Sequence, residues 1–85
     1  MRRVPRPQVV ASKADVVRPS RFFFDLAGGQ KVTDEYGLPF KDQTTALRVA
    51  RKMARDLAQT RPELRGNTWI VVRSAATDEL WRVDI

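Results

Sequence analysis

Apolar and polar residues alternate in the first aromatic stretch and near the C-terminus, and between these stretches apolar residues recur at helical spacing. In Arg21-Phe22-Phe23-Phe24-Asp25-Leu26 a period of two puts Phe22, Phe24 and Leu26 on one face and Phe23 and Asp25 on the other. Aromatic side chains favour the pleated backbone, so the segment predicts a strand. Ala27-Gly28-Gly29 supplies residues suited to a tight turn, and Gln30-Lys31-Val32-Thr33 predicts a short returning strand. Asp34-Glu35-Tyr36-Gly37 reads as a turn.

The pattern then changes to a period of 3.6. From about Gln43 to Thr60, Ala46, Leu47, Val49, Ala50, Met53, Ala54, Leu57 and Ala58 share one half of a helical wheel, and Arg48, Arg51, Lys52, Arg55, Asp56 and Gln59 fill the other. Asp42 is placed to cap the first turn, and Pro62 stops the helix by restricting Arg61. Alanines dominate the apolar half, which predicts a close approach to whatever lies beneath. After a loop from Pro62 to Asn67, Thr68-Trp69-Ile70-Val71-Val72-Arg73 predicts a third strand, apolar on both faces. Ser74 to Asp78 turns the chain. Glu79 to Ile85 gives a fourth strand with Trp81, Val83 and Ile85 on one side and Leu80, Arg82 and Asp84 on the other.

The order strand–strand–helix–strand–strand predicts an α+β domain over residues 21–85. Its expected form is a four-stranded antiparallel sheet with one amphipathic helix packed on one face. One helix covers one side of such a sheet. The side left over should carry Phe23, Asp25, Lys31, Thr33, Leu80 and Arg82, with either Trp69 and Val71 or Ile70 and Val72. Strand-three periodicity leaves both options open. In either case the uncovered side is richer in aromatic surface than a solvated sheet face requires.

Composition narrows the chemistry. The 85-residue chain has no Cys and no His, so disulfides and Cys- or His-dependent metal sites and nucleophile pairs are excluded. A domain of this size has a thin stability margin, and without those devices self-association gains weight as a stabiliser. Asp34 and Glu35 are adjacent turn residues that point apart, and Gly28-Gly29 is followed by no helix that would make it a phosphate cradle. The residues therefore predict no enzyme, no catalytic or metal site, no cofactor and no small-molecule substrate.

Of the net charge of +6, residues 1–20 hold +4: Arg2, Arg3, Arg6, Lys13 and Arg18 stand against Asp15 alone. This stretch also holds Pro5, Pro7 and Pro19 and few large apolar residues, so it reads as a disordered basic tail. It has no continuous apolar run of the kind a signal peptide or membrane span needs, which predicts a cytoplasmic protein without membrane contact.

The aromatic strand Arg21 to Leu26, the Asp34-Glu35-Tyr36-Gly37 turn, the Ala-rich helix and the hairpin beginning near Trp69 together resemble a known group. The chain is similar, over roughly residues 20–85, to short uncharacterised bacterial proteins, common in proteobacteria, classed as a domain of unknown function. Members typically open with a strand of the form Arg-Phe/Tyr-Phe-Phe-Asp/His-Leu, so residues 1–20 look like an addition to that pattern. The last hairpin departs from the pattern as well, with Ser74-Ala75-Ala76-Thr77-Asp78 where an Asp-Glu-x-Gly turn is common. The resemblance implies the fold and lends no activity.

Two binding surfaces follow from the residues. The uncovered sheet side, with Phe23, Trp69 and Val71 as the expected contacts, predicts an interaction module that forms a homodimer. The less favoured alternative is a non-specific nucleic-acid binder that uses the tail together with Arg48, Arg51, Lys52 and Arg55, whose spacing places four cations on one helix face.

Overall fold

Strand β1, Ser20–Gly28, is the axis of the fold in the computed structural model, which describes residues 19–85. Of the predicted tail, residues 1–20, all but the last two lie outside the described residues, and Ser20 belongs to β1. Chain order continues with β2 (Leu38–Phe40), α1 (Gln43–Thr60), a single 3-10 turn at Pro62–Leu64, β3 (Thr68–Ser74) and β4 (Leu80–Asp84). The strands form one antiparallel sheet in the order β2-β1-β3-β4, so the α+β architecture expected from the residues is the one observed.

The second strand is not where the sequence puts it. Gln30–Thr33 keeps only one bridge to β1, with Leu26 and Val32 exchanging N–H···O bonds of 2.8 and 3.1 Å. The glycine pair does not make a tight hairpin. Gly28 still pairs with Thr68 of β3, and the Gly29 N–H goes on to the Asn67 carbonyl at 2.8 Å. Beyond Val32, Asp34 takes over from the ladder: its carboxylate accepts the Phe24 N–H at 3.1 Å, a donor that a continuing strand would have used. The partner of β1 on this side is Leu38–Phe40, with Ser20 opposite Phe40 and Phe22 opposite Leu38. Lys31 and Thr33 therefore leave the list of sheet-face residues.

Helix α1 begins where Asp42 accepts from the Thr45 N–H and from Thr45 Oγ1, both at 2.8 Å. The Thr45 N–H bond holds the Asp42 carboxyl below its ordinary pKa. At the other end the Arg61 N–H returns to Leu57 O, and Pro62 starts the 3-10 turn, which buries Leu64. Ala46, Ala50 and Ala54 are buried against the sheet, as the small side chains on that half predict.

The core lies between α1 and one side of the sheet. Phe22, Ile70 and Val72 are buried there with the three alanines, and Phe24, Leu26, Trp81 and Val83 pack around them. Phe22 and Phe24 each meet Phe40 edge to face, at 6.1 and 5.8 Å between ring centroids. This settles the open question about β3. Ile70 and Val72 face the helix, and Trp69 and Val71 face away from it.

Candidate interaction surface

Directly paired residues of an antiparallel sheet project to the same side, so the register lays out the helix-free side row by row. One row holds Phe23, Arg73 and Leu80; the next holds Asp25, Val71 and Arg82; a third holds Ala27, Trp69 and Asp84. Phe23, Trp69 and Val71 are brought together on this side. No described element crosses this side of the sheet, although the 34–37 turn reaches its margin.

The rings are less bare than the pattern implies. Arg73 Cζ sits 4.6 Å from the Phe23 ring centroid, and Arg82 Cζ sits 3.9 Å from that of Trp69. Both aromatic residues are half-buried, whereas Leu80 is 64 % exposed. Each guanidinium is held by a carboxylate as well. Arg82 Nε donates to Asp84 Oδ1 at 2.8 Å, and Arg73 donates to Asp25 through Nε at 2.6 Å and Nη2 at 3.3 Å. The surface is a mosaic in which apolar area and opposite charges alternate.

Asp34 anchors the margin of this surface. Besides the Phe24 N–H, its carboxylate accepts the N–H groups of Tyr36 and Gly37 at 3.1 and 3.0 Å. Its own N–H donates to Asp25 Oδ1 at 2.8 Å, and its carbonyl accepts from Arg73 Nη2 at 3.1 Å. The Gly37 N–H bond is the largest influence that holds the Asp34 carboxyl below its ordinary pKa, and partial burial opposes it. The bond to Asp25 raises the Arg73 pKa. Gly37 adopts φ +69°, and a Cβ there would meet Phe22 O at 2.7 Å, so only glycine fits this turn.

Sequence reasoning missed this cluster and a second patch. Val32, Tyr36 and Leu38 are exposed large apolar residues, and they border a groove of about 530 Å³ shared with Phe24 and Met53. The groove lies on the helix side, at the β2 edge.

The four helix cations Arg48, Arg51, Lys52 and Arg55 are all exposed on the outer side of α1. Lys52 forms an i,i+4 ion pair with Asp56 at 3.3 Å. They face away from the helix-free sheet side, so the two candidate surfaces are opposite and cannot act as one. Among the described residues no three His, Cys, Asp or Glu side chains gather as a metal site, and no helix is long and apolar enough to cross a membrane.

Residues 21–85 match the family model described as Domain of unknown function (DUF6894). The chain belongs to this family. The match takes in every element of the DUF6894 fold described above, from the aromatic strand to β4, and the whole of both candidate surfaces. No curated protein and no solved structure matches the chain.

Proposed function

We propose that this DUF6894 domain is a small interaction module that self-associates and offers the helix-free side of its sheet for contact, with Phe23, Trp69 and Val71 at the centre. The observation that carries the reading is the mosaic itself: half-buried rings and Val71 lie among Arg73, Arg82, Asp25 and Asp84 on a side that no described element crosses. Aromatic and arginine side chains are the types enriched at the centres of protein interfaces. Alternating signs suit a protein surface of mixed charge better than a polyanion, because Asp25 and Asp84 would repel phosphates. A bacterial, cytoplasmic setting belongs to the same reading, supported by the cysteine-free sequence and by the resemblance described above. Sedimentation equilibrium at micromolar concentration is the test. A dimer is expected, and a monomer throughout overturns self-association.

One observation favours a second reading. The cations of α1 form an exposed stripe on the outer side of the helix, and four contacts of this kind would bind phosphates without sequence preference. Binding of random DNA or RNA by this stripe should fall with a log–log salt slope near about −4 if all four engage, less for single strands. Absence of binding at low salt removes this reading.

A further inference from the structure

The two edges of the sheet are finished differently. On the β1–β2 side every outward group named here is occupied or missing. Ser20 and Phe22 are paired to β2, the Phe24 N–H is held by Asp34, and Leu26 is bridged to Val32. On the three-residue β2 itself, Pro39 has no N–H to offer. Natural sheets blunt an edge by devices of this kind: a short strand, a proline or a covering loop.

Among the described residues the β4 edge has no proline and no covering loop, and its two charged residues, Arg82 and Asp84, are of opposite sign. Ile85 N–H donates to Thr68 O, which fixes the alternation along the strand. Residues 81, 83 and 85 direct their backbone groups to β3, and Leu80, Arg82 and Asp84 direct theirs outward. Among the described residues, nothing pairs with the outward N–H and C=O groups of Arg82 and Asp84.

From this asymmetry we infer that two copies join along β4, antiparallel about a two-fold axis at Val83, to make one eight-stranded sheet. In this register Arg82 faces Asp84 of the second copy and Asp84 faces its Arg82, with four backbone hydrogen bonds between them. On the helix side Val83 meets Val83, and Trp81 meets Ile85. Within the paired strands Arg82 and Asp84 each face the opposite charge and Trp81, Val83 and Ile85 each face an apolar residue, as cross-strand pairing favours. Shifting the strands by one pair to centre them on Arg82 would set the two arginines directly opposite. Trp81, Val83 and Ile85 are each half-buried in one chain, so part of their surface remains to be covered. Beside Val83 and Ile85 a depression of about 280 Å³ runs to Ala54 and Ala58 of α1 and is flanked by Arg51 and Arg55. Trp81 of the second copy, placed opposite Ile85, adjoins it.

The inference rests on the self-association proposed above and names the strand that carries it. The helix-free sides of the two copies then run together as one surface of double width, with both sets of Phe23, Trp69 and Val71 open to further contact. The seam is short, so the complex should dissociate within the micromolar range accessible to sedimentation.

The test uses charge exchange in the full chain. Arg82→Asp leaves two acids on the edge and Asp84→Arg leaves two bases. Each variant alone should self-associate about tenfold more weakly or not at all, whereas an equimolar mixture should recover a heterodimer. Circular dichroism confirms that each variant is folded, and Lys41→Ala, exposed beside the opposite edge of the sheet, should remain dimeric. In wild-type protein, amide exchange at Arg82 and Asp84 should slow as concentration rises. If both edge variants dimerise like wild type and Val71→Glu does not, the join lies on the face: the inference fails and the interaction module stands. If wild type is monomeric, self-association fails with it.

Discussion

Asp34→Ala is expected to be among the most damaging single substitutions in the domain, at a cost of about 3 kcal/mol and a fall in melting temperature on the order of 15 °C. One carboxylate accepts three backbone N–H groups, from Phe24, Tyr36 and Gly37. Removing it leaves donors of a part-buried turn without an acceptor, and hydrogen bonds to a charged group each contribute about 1.5–3 kcal/mol, not additively. A domain this small has about 3–10 kcal/mol in total, so the loss threatens folding itself. Glu35, exposed in the same turn, is the control, and Glu35→Ala should leave the melting curve in place. The same bonds give a pH dependence. The folded-state pKa of Asp34 lies below its unfolded value. Its stabilisation is therefore complete above the ordinary carboxylate range and is lost as pH falls through the folded-state value. Asp34→Asn should flatten that acid limb in a melting-temperature profile.

The second large effect separates two neighbours on β3. Ile70→Ala should destabilise the domain by about 3–4 kcal/mol, because the side chain is fully buried between sheet and helix and its removal leaves a cavity. Val71→Ala, one residue on but facing the open side, should cost about 1 kcal/mol or less. Chemical denaturation of the two variants measures this contrast directly. Equal losses would mean that Val71 is as enclosed as Ile70 and that the far side of the sheet is covered.

These two predictions mark what the residues reveal and what they hide. Strand β1, helix α1 with its Asp42 cap, and β4 are legible because each shows one clear period. Strand β3 is apolar on both faces, so its period says that it is central without saying which side is the core; pairing with β1 decides that. Strand β2 is hidden for a different reason. Pro39 argues against a strand, and only its place on an edge makes it tolerable. Gly28-Gly29 looks like a hairpin signal, yet Gly28 stays in register with Thr68. The cluster of Asp25, Asp34 and Arg73 has no local signature, because Arg73 lies 48 residues from Asp25. Of the candidate surfaces, Phe23 and Asp25 could be placed from alternation alone. The guanidinium lids on Phe23 and Trp69 need cross-strand neighbours that periodicity does not name.

The occupied edge also sets a limit on size. A sheet open on both sides behaves as a bifunctional building block and can polymerise indefinitely, as amyloid does. In the β4-joined pair inferred above, the edge that remains is the short β2 with Pro39, so strand-by-strand growth would stop after one addition. Pro39 on the outer strand would then serve as the chain terminator of that pair.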